Sequence, residues 1–139
     1  MVMFFPVCVD LMQTLNSAHF KSAFDFANFV QCGEDTAKCW DALRPYIVYI
    51  HIKDAVSTDK ENVLCGTGEG KIPELLHKAI VEEGYTGFLT LEPHLVLFDS
   101  LQSLETTDAK NIIRENKYKN GAEGYAAQYH ALCDILAKF

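Results

Sequence analysis

The chain has 139 residues, 49% of them apolar and 22% charged, which suits one globular core and is too short for two. A net charge of −7 disfavours nucleic-acid binding, because phosphate contacts need a basic surface. The apolar opening segment has no basic leader, and no apolar run reaches the roughly 18 residues that cross a bilayer. The five cysteines form no CxxC pair, and their odd number argues against a secreted disulfide framework. We therefore expect one cytoplasmic domain over residues 1–139 that binds neither nucleic acid nor membranes.

Three short apolar runs predict three β-strands. They cover residues 20–24, 46–52 and 88–91. Helix-spaced apolar patterns separate these runs, and such alternation is typical of βα units around a parallel sheet. We therefore predict an α/β fold with about three parallel βα units.

Apolar residues at helical spacing predict four helices. The first lies near the N-terminus, and the second is capped by Asp35 or Thr36 and stopped by Pro45. The third has Pro73 in its first turn and ends at Gly84. The polar residues 99–120 are weakly patterned, and the last helix follows them to the C-terminus. Its apolar stripe consists of Tyr125, Tyr129, Leu132 and Leu136.

Each predicted strand ends in a residue that can bind a divalent metal, namely Asp25, His51 and Glu92. Parallel strands bring their carboxyl ends to one edge of the sheet, so the three side chains are expected to converge. Taken singly, each is better explained as a structural residue: Asp25 as the start of a turn, His51 as a core histidine and Glu92 as a strand-end charge. Three ionisable groups in register are most simply explained by a shared cation. We predict a site for Mn²⁺, Mg²⁺, Co²⁺ or Zn²⁺ with coordination positions left open for a substrate.

Four polar residues lie within three positions of these candidates: Asn28, Lys53, Asp54 and His94. We predict that they bind the oxygen atoms of a small polar molecule or orient the metal ligands. Each is equally consistent with a solvated loop residue. Lys53 is the most informative, since an ammonium beside a metal can stabilise an oxyanion or hold a phosphate.

Two further patterns have competing interpretations. Residues 66–70 contain three glycines ahead of a helix, which is typical of an anion site, but the spacing matches no known phosphate-binding fingerprint. We favour a flexible loop that lines the site. An aromatic group could wall a sugar pocket or belong to the core, and the core is favoured. This group consists of Phe24, Phe26, Phe29 and Trp40.

Four segments together resemble the sugar phosphate isomerase/epimerase family, the xylose isomerase-like TIM barrels that also include endonuclease IV-type enzymes. The segments are residues 24–33 (FDFANFVQCG), 43–55 (LRPYIVYIHIKDA), 66–73 (GTGEGKIP) and 84–95 (GYTGFLTLEPHL). The resemblance implies the C-terminal part of a (β/α)8 barrel, because a whole barrel takes on the order of 250 residues. Residues 1–8 look unlike the family and are expected to be an atypical N-terminal extension, as in a frame begun at an internal start.

The resemblance also implies a chemistry. In this family four residues hold the metal, and the last three correspond to Asp25, His51 and Glu92, whereas the first, a Glu, has no counterpart here. Family members move a proton through an enediolate of a sugar or sugar phosphate with two carboxylates as acid and base. Glu92 is expected to be one of this pair, with Asn28, Lys53 and His94 on substrate oxygens.

The implied fragment would expose sheet edges and an apolar face, so we predict a homo-oligomer that completes or covers the partial barrel. The alternative is a catalytically inactive fragment that folds by oligomerisation. An endonuclease-like activity is a third option, and the acidic net charge weighs against it.

Overall fold

The computed structural model describes residues 4–96 and 117–139, and in this part of the chain helices alternate with strands. The helices are α1 (Phe4–Leu15), α2 (Phe26–Gln31), α3 (Thr36–Leu43), α4 (Ile72–His77) and α5 (Gly121–Leu136). The strands are β1 (Ser22–Asp25), β2 (Ile47–Ile52), β3 (Asp54–Ala55), β4 (Asn62–Val63) and β5 (Phe88–Leu91). A 3-10 turn, Arg44–Tyr46, leads into β2, and a π-helical segment, Lys78–Glu82, extends α4.

Strands β1, β2 and β5 form one parallel sheet with β2 in the middle, which confirms the three predicted strands and the α/β class. Asp25 pairs with His51 across the first interface, and His51 pairs with Thr90 across the second. Strands β3 and β4 form a separate antiparallel pair, in a segment that the sequence predicts as loop. The described strands make an open sheet, as in part of a TIM barrel, and do not close.

The helices cover one face of the sheet, and the core lies between the two layers. Phe24 and Ile52 point into this core and are fully buried. The Phe24 ring centroid lies 5.1 Å from that of Phe26, 5.0 Å from that of Phe29 and 5.1 Å from that of Trp40. Aromatic contacts at such distances add about 0.5–1.5 kcal/mol each beyond area burial. The aromatic group therefore belongs to the core, as favoured from the sequence.

The opposite face of the sheet is much more open among the described residues. Phe88 on β5 is 76% exposed, and Ala23 on β1 is also exposed. Between them the Tyr49 ring is half-buried, with its centroid 6.2 Å from that of Phe88, and its hydroxyl accepts a hydrogen bond from Thr90. This face of the open sheet therefore exposes apolar surface, and the sheet has free edges at its borders.

The helix boundaries follow the signals in the sequence. Asp35 caps α3, where its carboxylate accepts from the backbone amides of Ala37 at 2.9 Å and Lys38 at 3.3 Å. Pro73 lies in the first turn of α4, where no amide donor is needed. Gly84 follows the π-helical segment with a left-handed φ of 66°, a conformation that favours glycine. The second and third predicted helices are thus confirmed at both ends.

The apolar stripe predicted for α5 is confirmed for Leu132, which is buried, and Leu136, which packs against the core, and is wrong for its two tyrosines. Tyr125 and Tyr129 are 50% and 53% exposed. The buried positions are Gly124, Gln128, Leu132 and Ile135. Gln128 lies at the centre of this face, where its Oε1 accepts from the amide of Cys65 at 3.0 Å and its Nε2 donates to the carbonyl of Ile52 at 3.1 Å. An apolar pattern misses part of this face, because a glycine and a glutamine form half of it.

Residues 1–8 and residues 99–120 are described only in part. Residues 4–8 form the start of α1, and Phe5 and Cys8 pack against the core. The weakly patterned residues 99–120 fall largely outside the described part of the chain. Among the described helices, none combines the length and apolar character needed to cross a membrane.

Candidate metal centre

Asp25, His51 and Glu92 converge at the carboxyl edge of the sheet. Each offers one ligand atom, and these atoms all lie within 4.8 Å of one another. The Nδ1 of His51 is 2.7 Å from Oε2 of Glu92. Two carboxylates and an imidazole in this arrangement form a donor set that suits a divalent ion. Small side-chain adjustments would bring each ligand atom to the usual distance of about 2.0–2.2 Å from the ion. The donor set therefore fits a divalent metal.

Backbone contacts at the end of β2 hold this edge in place. The carbonyl of Ile52 accepts from the amide of Glu92 at 3.2 Å and from the side chain of Gln128 at 3.1 Å. The carbonyl of the next residue, Lys53, accepts from the amide of Ala27 at 3.2 Å. The end of β2 is thereby bonded to α2, to α5 and to the residue that follows β5, which fixes this edge of the sheet and the donor residues on it.

Lys53 lies within the donor cluster. Its Nζ is 2.9 Å from Oδ2 of Asp25 and 3.7 Å from Oε2 of Glu92. Only 8% of the residue is exposed, and its ammonium offsets half of the negative charge of the two carboxylates. The sequence prediction placed Lys53 beside the metal ligands, and the structure brings it into direct contact with two of them.

Glu92 is held as a carboxylate. Burial by itself raises its pKa, but hydrogen bonds from His51 and His94 and the charge of Lys53 lower the pKa to about 2. A group with so low a pKa is a good anionic ligand and a weak base. The electrostatics therefore support Glu92 as a metal ligand more strongly than as an acid or base.

A cleft of about 230 Å³ opens beside these side chains. It is lined by Ala23, Asp25, Asn28, His51, Lys53 and Glu92. Asn28 is exposed to the cleft, and its backbone amide donates to Oδ1 of Asp25 at 3.1 Å, so Asp25 also caps α2. Ala23 was not predicted from the sequence, because an alanine gives no chemical signal. A larger cavity of about 540 Å³ lies by Lys71 and Asp35 and contains none of the three donors, so we place the site in the smaller cleft.

His94 lies next to the cleft and does not line it. Its Nε2 is 2.9 Å from Oε1 of Glu92, the oxygen that His51 leaves free. The backbone of His94 has a left-handed φ of 45°, and half of the side chain is exposed. His94 thus orients the Glu92 carboxylate here, and its contact with a substrate stays a prediction.

Asp54 and the glycine-rich segment have a role that the sequence analysis missed. The Asp54 carboxylate is buried, with Oδ2 accepting from the amides of Gly66 and Gly68 at 2.9 Å. Oδ1 accepts from the amides of Ala55 and Gly70 at 3.0 Å. Burial raises the pKa of Asp54, and these amide hydrogen bonds partly offset the rise. The segment therefore binds an anion from its own chain, and residues 66–70 do not line the cleft beside the donors. The interpretation of Asp54 as a solvated or substrate-binding residue was wrong, because its carboxylate is buried among these amides.

Open parallel strands with donor residues at their carboxyl ends are the arrangement found in part of a TIM barrel. One similar solved structure is that of a xylose isomerase domain protein from Planctomyces limnophilus, with a TM-score of 0.68 and 19% sequence identity. The match covers 96% of this chain and 44% of the xylose isomerase domain protein. This chain therefore spans less than half the length of that protein. No family model and no curated protein matches the sequence. The comparison shows the fold.

Proposed function

We propose that this chain is part of a divalent metal-dependent isomerase or epimerase that acts on a sugar or sugar phosphate. The observation that supports this proposal is the convergence of Asp25, His51 and Glu92, whose ligand atoms lie within 4.8 Å of one another at the carboxyl edge of a parallel sheet. This edge is where barrels of this architecture place their active sites. The xylose isomerase-like fold is consistent with the same assignment.

The proposed chemistry is proton transfer at a carbon next to a carbonyl group, which passes through an enediolate. A bound Mn²⁺, Mg²⁺, Co²⁺ or Zn²⁺ would supply Lewis-acid polarisation of the substrate oxygens. Asn28 and Lys53 line the cleft and would bind hydroxyl or phosphate oxygens, and His94 is assigned the same role at the rim. Glu92 would take or return the proton, although its low pKa makes it the weaker partner of an acid–base pair.

A second acid or base is needed for a transfer between two faces of a carbon atom. Among residues 4–96 and 117–139, the carboxylates of this cluster belong to Asp25 and Glu92 alone. The open face around Phe88 and Tyr49 offers apolar surface for another polypeptide. We propose that self-association covers this face and brings a further carboxylate to the cleft. Sedimentation velocity over a range of concentrations tests this, and a monomer at every concentration contradicts it.

The metal assignment is tested by His51→Ala. We expect wild-type protein to bind Mn²⁺ with one ion per chain in a calorimetric titration, and His51→Ala to lose this binding while keeping the far-ultraviolet circular dichroism of a folded chain. His19→Ala is the matched control, because His19 is exposed and lies outside the cleft. Retention of Mn²⁺ by His51→Ala would overturn the ligand set.

The reaction class is tested without knowledge of the sugar. The Mn²⁺-loaded protein is incubated in heavy water with a panel of ketoses, aldoses and their phosphates, and proton NMR follows exchange of hydrogen at the carbons beside the carbonyl. Exchange that depends on added metal supports the proposed function. Metal binding without exchange of any panel member identifies the alternative, an inactive fragment of such an enzyme.

A further inference from the structure

Lys53 occupies the space between the carboxylates that would hold a metal. Its Nζ lies 2.9 Å from Oδ2 of Asp25 and 3.7 Å from Oε2 of Glu92, and that Glu92 oxygen also accepts from His51. The Lys53 side chain is 10% exposed, against 47% for Lys71, which pairs with Asp35 elsewhere. An ammonium so enclosed by two carboxylates acts as their counter-ion.

A divalent ion and this ammonium need the same oxygen atoms. A cation bound by Asp25 and Glu92 would lie within a few ångströms of Nζ, where like charges repel strongly because little water screens them. The Lys53 backbone cannot retreat, since its carbonyl is bonded to the Ala27 amide and the next residue is buried. The side chain therefore has to swing away from Asp25, and the cleft that it lines is the space available to it.

We propose that Lys53 is a built-in competitor of the metal, which holds the two carboxylates together in the metal-free protein and is displaced into the cleft when a divalent ion binds. This inference rests on the proposed metal site and adds an ion exchange to it. It assigns Lys53 a role before any substrate arrives. After the exchange, the two carboxylates, the metal and the ammonium together carry one positive charge in excess.

The test compares Mn²⁺ affinity by isothermal titration calorimetry in wild-type protein, Lys53→Met and Lys71→Met. Methionine keeps the unbranched side chain and removes the charge. We expect Lys53→Met to bind Mn²⁺ roughly tenfold tighter or more, because the ion no longer displaces an ammonium. Lys71→Met is expected to match the wild type, since its lysine pairs with Asp35 outside the cleft. Equal or weaker Mn²⁺ binding by Lys53→Met overturns the proposal.

A second measurement keeps the test decisive if Lys53→Met is poorly folded. Without Mn²⁺ the two carboxylates of this variant repel each other, so its melting temperature is expected to lie below that of the wild type, and saturating Mn²⁺ should raise it by more than in the wild type. An equal rise in both proteins overturns the competition. If wild-type protein binds Mn²⁺ through His51 but Lys53→Met binds Mn²⁺ no more tightly, the metal site is supported and the competition is overturned. If neither protein binds Mn²⁺, both are overturned.

Discussion

The contact between Asp54 and the glycine-rich segment gives the sharpest stability prediction. In Asp54→Asn one carboxylate oxygen becomes an amino group, whichever way the amide is oriented. Two of the four backbone amides then lose their acceptor, either those of Gly66 and Gly68 or those of Ala55 and Gly70. A fully buried donor without a partner costs about 1–3 kcal/mol. Ala55 and Gly70 are buried, whereas Gly66 is exposed and Gly68 half-buried. The new amino group should therefore face Gly66 and Gly68, and the loss is roughly 1–3 kcal/mol. This is a substantial part of the approximately 5–15 kcal/mol that stabilises a typical domain.

The assay is equilibrium unfolding in urea, followed by the fluorescence of Trp40, which is the single tryptophan and is fully buried. We expect a lower midpoint with little change in slope, because the surface exposed on unfolding is the same. Asp134→Asn is the matched control, since Asp134 is exposed on α5, and it should stay within about 0.5 kcal/mol of the wild type. A loss below about 1 kcal/mol for Asp54→Asn would refute the reasoning, since it would mean that the amides are satisfied without this carboxylate.

Three further outcomes follow from the described contacts. Gly68→Ala should destabilise the chain more than Gly33→Ala in urea titrations. A Cβ added at Gly68 lies 2.5 Å from the Ala55 carbonyl oxygen. A Cβ added at Gly33 meets no atom within 4 Å, and only the φ of +76° is unfavourable there. The pKa of Glu92 is lowered from 4.5 to about 2, so between these pH values the unfolded chain binds more protons than the folded chain. Stability should therefore decrease as the pH is lowered through this range, and Glu92→Gln should make the decrease smaller in thermal melts. Burial raises the pKa of the Cys39 and Cys65 thiols to about 12, so a thiol reagent at neutral pH should spare both in native protein and label them after denaturation.

The parts of the fold that sequence analysis predicted depend on local patterns. The β2 run and the capping by Asp35 are recognisable within a few residues, because strand alternation and helix caps are set by neighbours in the chain. The convergence of Asp25, His51 and Glu92 followed from one added rule, that parallel strands end at a common edge. Local signals and a topological rule were sufficient to bring the three donor residues together.

The parts of the fold that sequence analysis missed depend on contacts between distant residues. The Asp54 carboxylate is bonded to amides 12, 14 and 16 residues further along the chain, and glycine-rich spacing alone does not identify the anion that it binds. Gln128 is buried because Ile52 and Cys65, more than 60 residues away, need its amide group. A polar residue inside a helix normally indicates solvent exposure, so the pattern predicted only part of the buried face of α5.

The end of β2 joins the proposed site to the stability of the fold. Because successive side chains of an extended segment point to opposite sides, His51 and Lys53 face the cleft, whereas Ile52 and Asp54 face the core and the glycine-rich segment. A change on one side therefore acts on the other through a backbone that is already bonded to Ala27 and Glu92. Asp54→Asn should accordingly weaken Mn²⁺ binding in calorimetry even at temperatures where it remains folded, since the loop that fixes the strand end is loosened. Unchanged Mn²⁺ affinity in folded Asp54→Asn would show that the ladder pairing of β2 with β1 and β5 is enough to position the donors.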